Sequence, residues 1–227
     1  MNYEILRSKR KTLAIQVHRD HRIEVRAPLR CRDKDIALFF AKHRQWIEKK
    51  LQQSYQYPGL SESEYRHGKT VWLLGESIPI SVNRERVSSV SLVNKRLIVR
   101  QSELENTALT QRLITGWKRD FAAELFQQQL AYWIMQFPIQ LKDYQFRLRK
   151  MKRQWGNCNQ RGTITINSQL IRYPLTCIDY VMVHELTHLK HLHHGRAFYQ
   201  LLEQVMPDWR QHRLLLSQFS GSLFTEE

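Results

Sequence analysis

Residues 184–194 read His-Glu-Leu-Thr-His-Leu-Lys-His-Leu-His-His, and the first five form the pattern H-E-x-x-H. On a helix, residues four apart lie about 40° apart around the axis and one turn up. His184 and His188 can therefore hold one metal ion between them. Glu185, beside the first, is placed to take a proton from a metal-bound water. Zinc suits two imidazoles, and a catalytic zinc keeps one position for water. The pattern predicts a zinc-dependent hydrolase with one Zn2+ per chain. The confirming context is a helix; the alternative is a His-rich surface helix with a fortuitous match.

Two histidines do not close a site, so a third protein ligand is expected. His191 lies on the same helical face but about 10 Å from His184 along the axis, too far for both to reach one ion. His193 and His194 reach back only if the chain leaves the helix near 191–193 and turns, which Gly195 permits. Glu203, on the next apolar-periodic segment, is the other candidate. Chemistry alone ranks His194 ahead of Glu203, with His193 third.

A second constellation precedes the motif. Arg147, Arg149, Lys150, Lys152 and Arg153 put five cations in seven residues, followed by Trp155. A basic stripe beside an aromatic suits a polyanion such as nucleic acid or a nucleotide, and Arg149, Lys150, Arg153 and Trp155 are the candidate substrate-binding residues. The alternative is a solvated basic face that aids solubility.

The run Trp155-Gly156-Asn157-Cys158, Gly162, Ile164-Thr165-Ile166-Asn167, Leu170, Pro174, Ile178-Asp179-Tyr180-Val181, His184 to Lys190, His194, Phe198 and Met206-Pro207-Asp208 resembles the bacterial YgjP-type metal-dependent hydrolases, relatives of the SprT-like and WLM-type zinc peptidases. The resemblance extends to Arg7 to Thr12, Val25-Arg26-Ala27-Pro28 and Trp46-Ile47 before Lys49-Lys50. It implies that His184, His188 and His194 are the metal ligands and that Glu185 is the catalytic base. The family usually has W-G-S-C-S where this chain has Trp155-Gly156-Asn157-Cys158-Asn159.

The elements that must position these groups follow from periodicity. Ile178, Val181, Met182, Leu186 and Leu189 recur at helical spacing, predicting a helix over 174–192 with Pro174 in its first turn. Thr12–His18 and Ile23–Val25 predict a hairpin over Asp20-His21. Asp33–Gln53 reads as a helix capped by Asp33, and residues 58–63 as a linker. Val71–Leu74 and Ile78–Val82 form a hairpin around Gly75-Glu76, and Val90–Val99 another over Asn94-Lys95. Asn106–Gln136 reads as one long helix with Leu109, Leu113, Trp117, Phe121, Leu125 and Leu130 inward. Tyr144–Met151 and Gly162–Asn167 read as strands flanking a Trp155–Arg161 loop, with Arg196–Val205 and Trp209–Phe219 as closing helices.

The predicted fold is α+β. Residues 1–100 form a β-hairpin-rich N-terminal lobe with one helix. Residues 101–227 form a catalytic domain resembling the zincin arrangement: long helix, mixed sheet, H-E-x-x-H helix. If Gly162–Asn167 is the sheet edge beside the metal, it can pair with an extended peptide, and Arg153–Arg161 lies at the cleft mouth.

At 227 residues and 42% hydrophobic, the chain can bury a good core. It has no apolar run of membrane-span length and no signal-peptide pattern, which predicts a cytoplasmic protein. Three cysteines without metal spacing agree. The net charge is +15, unevenly spread: residues 1–60 carry +8, residues 141–175 carry +7 and residues 176–227 carry −2. The segment feeding the metal helix is thus basic and the helix itself is not.

A zinc metallopeptidase acting on protein or peptide is the first functional reading. Phosphoanhydride hydrolysis of a nucleoside triphosphate is the second, although no Walker-type glycine loop is present. A nucleic-acid-binding module with a structural metal is the third, and the intact Glu185 argues against it.

Overall fold

Residues 74–75 and 94–95 turn back two hairpins, and all four have positive φ: Leu74 49°, Gly75 84°, Asn94 49° and Lys95 57°. That pairing of left-handed residues matches the twist of the strands it joins. The computed structural model describes residues 1–17, 22–48, 51, 65–141, 144–152 and 154–220. The chain divides into two compact units, Met1–Ser61 with Ser217–Glu227, and Glu62–Leu216.

In the first unit, β1 (Glu4–Ser8) runs parallel to β3 (Ile23–Pro28), and β2 (Ala14–Val17) pairs antiparallel with β3 on its other side. The predicted hairpin is therefore present as a strand pair, while its Asp20-His21 turn lies outside the described residues. Helix α1 (Asp33–Lys42) is shorter than predicted, because the chain passes through a turn residue at His43 before helical residues 44–48. Its N-cap is Arg32, not Asp33. Asp33 is the first helical residue and forms an ion pair with Arg7. Val25, Ala27 and Ile36 form one buried cluster, and Val17, Ile23 and Ile47 another. The predicted 58–63 linker lies outside the described residues.

The second unit begins with a four-stranded sheet, order β4-β5-β7-β6, built from β4 (Thr70–Leu73), β5 (Glu76–Arg84), β6 (Ser89–Val93) and β7 (Arg96–Gln101). Helix α2 (Thr107–Gln136) follows, capped by the Asn106 side chain accepting from Leu109 N. Its buried line is Thr110, Ile114, Lys118, Ala122, Phe126 and Leu130. Of the predicted face, Leu130 is buried, while Leu109, Leu113, Trp117, Phe121 and Leu125 lie one residue before the buried line and are only half-buried.

Next comes a three-stranded sheet, order β8-β10-β9, from β8 (Gln145–Arg149), β9 (Gly156–Cys158) and β10 (Thr163–Asn167). β10 is parallel to β8 and antiparallel to β9. This corrects the expectation that Gly162–Asn167 is the edge. β10 is central and buried at every position, and the edges are β8 and β9, the latter inside the segment read as a loop. A 3-10 turn (Ser168–Arg172) leads into α3 (Leu175–His188), α4 (Arg196–Val205) and α5 (Trp209–Ser220), of which the residues up to Leu216 belong to this unit. The result is α+β with mixed sheets and a long helix. Among the described residues, no helix is long and apolar enough to cross a membrane.

Candidate metal centre

Helix α3 is placed from its first turn. Leu74 N donates to Ile171 O at 2.8 Å and Gly75 N to Arg172 O at 3.1 Å, so the β4–β5 turn is pinned to the residues just before the helix. A Cβ on Gly75 would lie 2.7 Å from Pro174 Cγ, so only glycine fits there. From behind, α2 is tied to the same sheet by the Lys118 ammonium, 7% exposed, donating to Trp72 O at 3.0 Å. Residues 180–187 of α3 are all buried, which makes this a core helix rather than a His-rich surface helix.

His184 is 6% exposed and Glu185 3%. His188 is the last helical residue, and Leu189 N and Lys190 N close the end on Leu186 O and Thr187 O. The chain thus leaves the helix before His191 and returns, with Gly195 as the extended N-cap of α4. That return brings His194 Nε2 to 3.1 Å from His184 Nε2. One ring nitrogen from each of His184, His188 and His194 lies within 4.8 Å of the others. A tetrahedral zinc with Zn–N near 2.0–2.1 Å sets its nitrogens about 3.3–3.4 Å apart, so this donor set fits. Phe198, fully buried, floors the cluster, its ring centroid 5.0, 4.7 and 4.8 Å from those of His184, His188 and His194.

Two features prepare these rings for a cation. His188 Nδ1 lies 3.0 Å from His191 O; a carbonyl can only accept, so Nδ1 carries the proton and Nε2 is left as the donor to a metal. Burial, then the neighbouring His188 and His194, push His184 down to about 3, which keeps it neutral. Burial likewise lowers His188. A metal ligand must be the neutral imidazole.

Glu185 faces β9. A Cβ on Gly156 would lie 2.6 Å from Glu185 Oε1 and 2.7 Å from its Cγ, so the carboxylate rests directly on the glycine backbone. The next-but-one residue, Cys158, is pushed up to about 11 by burial and then by the Glu185 charge. The arrangement can therefore hold a divalent cation on three imidazoles and present a carboxylate beside an exposed strand edge.

The remaining predicted residues are distributed differently. Glu203 is exposed and paired with Arg210 at 2.8 Å, outside the histidine cluster. His193 is exposed and not part of it. Trp155 is 8% exposed and packs edge-on to Tyr173 at 4.8 Å, so the aromatic next to the basic stripe is a core residue. Arg149 is exposed at the end of β8, separated from β9 by β10, and Lys150 follows it. Arg153 lies outside the described residues.

Asn167 is a residue whose role the sequence did not reveal. Its buried amide accepts from Met151 N (3.2 Å) and Gln169 N (3.1 Å) and donates to Met151 O (3.0 Å) and Gln154 O (2.9 Å). Its own N–H donates to Trp155 O at 2.8 Å. One side chain thus fixes the stretch that delivers Gly156 to Glu185. The available signal was an Asn at the end of a strand, where its amide competes for backbone groups.

A family model described as YgjP-like, metallopeptidase domain, matches residues 11–219. Two solved structures are similar to part of the chain. The metallopeptidase zymogen of Pyrococcus abyssi abylysin is 22% identical with a TM-score of 0.37, covering 40% of this chain and 91% of that one. The metallopeptidase zymogen of Methanocaldococcus jannaschii jannalysin is 17% identical with a TM-score of 0.37, covering 41% of this chain and 94% of that one. Comparison with curated proteins gives no match.

Proposed function

The chain belongs to the YgjP-like metallopeptidase family, and from that premise we propose that it is a zinc-dependent peptidase in which His184, His188 and His194 hold the metal and Glu185 is the general base. The observation that carries the reading is the convergence of three imidazoles at the end of a buried helix whose Glu185 rests on an edge strand. A zinc ion held by these three imidazoles would supply Lewis acidity and a water nucleophile near neutral pH. Glu185 accepts the proton of the attacking water and returns it to the leaving amine. The His191 carbonyl holds the His188 ring in the metal-binding tautomer. β9 offers main-chain groups to an extended substrate, as an exposed edge does for an added strand. All of these residues fall within 101–227, the stretch read from sequence as a zincin-like catalytic domain.

The test is Glu185→Gln. The change is nearly isosteric, so zinc content should stay at about one per chain while peptide hydrolysis drops at least about a hundredfold. Wild-type turnover in that variant would remove Glu185 from the mechanism. A second reading, metal-dependent phosphoanhydride hydrolysis, is favoured by one observation: Arg147 and Arg149 both project from the exposed face of β8, followed by exposed Lys150. Turnover of nucleoside triphosphate that depends on those cations, with no cleavage of peptide, would select it. Arg147, Arg149 and Lys150 are also the proposed contact for a nucleic-acid partner.

A further inference from the structure

Beside α2, a cavity of about 680 Å³ opens between the helix, Tyr65, the residue after β8 and the 3-10 turn. Among the described residues lining it, Arg112, Lys118, Arg119 and Lys150 are cationic and none is acidic. The histidine cluster contributes nothing to it. Arg119 meets Asp120 at 2.9 Å, but both are 70% exposed, and such a surface pair is screened and weak. Cations gathered around a concave, partly apolar wall focus a positive potential into the cavity. Its volume is that of a small-molecule site.

A second observation points to the same place. Gly116 lies within the 30-residue helix α2, where glycine costs helix stability. The fold gives no reason for it: its φ is not positive, and an added Cβ would meet nothing within 4 Å. Yet Gly116 lines the cavity. It is four residues after Arg112 and three before Arg119, so on one helical face it sits between two arginines whose Cα atoms lie about 10 Å apart along the axis. Its missing side chain leaves room there and bares the helix backbone to whatever occupies the space.

We propose that this cavity is an anion site, separate from the metal centre, for a small ligand carrying two or more linked phosphate groups. Arg112, Arg119 and Lys150 bring exposed cationic side chains to its lining, and the buried Lys118 adds a fourth. Linked phosphates match this layout better than a single anion because the charge is spread along the helix face.

Isothermal titration of the full chain with inorganic tripolyphosphate is the direct test. One equivalent should bind to the wild type and equally to His188→Ala. Arg112→Gln combined with Lys150→Gln should weaken binding at least about tenfold, because two charge-assisted contacts are lost. Gly116→Leu should weaken it similarly by filling the space, with far-UV circular dichroism and zinc content unchanged. Gly116→Ala should melt above the wild type. Three results would overturn the proposal: no binding to the wild type, equal binding by the Arg112/Lys150 double variant, or loss of binding in His188→Ala, which would put the anion at the histidine cluster. The His188→Ala arm keeps this result distinct from any failure of the peptidase reading.

Discussion

At Gly156 the backbone of β9 and the Glu185 carboxylate are in contact with no room for a methyl group between them. The requirement is steric, since Gly156 does not have positive φ. Gly156→Ala should therefore push the carboxylate aside while leaving the three histidines in place. Misplacing a reacting group by about 1 Å costs on the order of a hundredfold. The expected outcome is a drop in kcat of that order with zinc content intact, measured by peptide turnover and metal analysis. Unchanged kcat would mean that Glu185 does not act from this position. His184, Glu185 and His188 were legible as candidates because one helical repeat places them, whereas His194 depends on the return of the chain after the helix end. Gly156 was not legible as a requirement, since its reason lies 29 positions away in Glu185. The cysteines give a second expectation. Burial pushes Cys158 up to about 11 and Cys177 up to about 12. The thiolate is the reactive form, so a raised pKa depletes it at pH 8. Iodoacetamide at pH 8 should modify both far more slowly than in the unfolded chain. The rate at Cys158 should climb about tenfold per pH unit while pH stays below its pKa. Mass spectrometry of partially alkylated protein reads this directly, and rapid labelling of native Cys158 at pH 8 would contradict it.

Elements were legible where local chemistry decides them. The two-residue turn at Asn94-Lys95 is where its composition placed it, and the turn read as Gly75-Glu76 falls one residue earlier, at Leu74-Gly75, with Gly75 in the left-handed conformation that has few takers. β9 was missed because Gly156, Asn157 and Cys158 have little strand propensity, and what makes them a strand is pairing with Ile164 to Ile166. The inner face of α2 was displaced by one residue for a related reason. Its centre line carries Thr110 and Lys118, which an apolar pattern discards. Each has a buried partner: Thr110 Oγ1 donates to Gln101 Oε1 at 3.1 Å, and Lys118 to Trp72 O. The turn preceding β5 gives a prediction at this scale. Gly75 has φ 84°, and a Cβ there would press on Pro174 at the start of α3. Gly75→Ala should destabilise the fold by about 1–3 kcal/mol through strain and displacement of that helix start. The urea midpoint should fall accordingly. A midpoint equal to that of the wild type would mean the turn does not fix the helix.

For the whole molecule, the +15 net charge is a statement about partners rather than about the fold. On β8 the exposure alternates, so Gln145, Arg147 and Arg149 share the outward face. Replacing Arg147 and Arg149 with Gln should leave zinc content unchanged. If that face holds a nucleic-acid strand, the salt dependence of single-stranded DNA binding should lose about 1.4 units of slope, roughly 0.7 per released contact. Fluorescence anisotropy across a salt series measures it, and an unchanged slope would leave the charge as a solubility feature. The parallel partnership of β1 with β3 was not visible in sequence, because it is a long-range pairing between short segments. The metal centre is the opposite case, and its locality has a thermodynamic consequence. All three histidines fall within eleven residues, 184–194, brought together by one helical turn and the short return to Gly195. A chain that has lost its tertiary structure still carries that short chelating segment. Zinc held by this cluster would therefore retain some affinity for the unfolded ensemble, and binding that does not distinguish folded from unfolded protein adds no stability. An ion bound there would contribute less to folding than its affinity for the native site, leaving the fold to rest chiefly on its own packing.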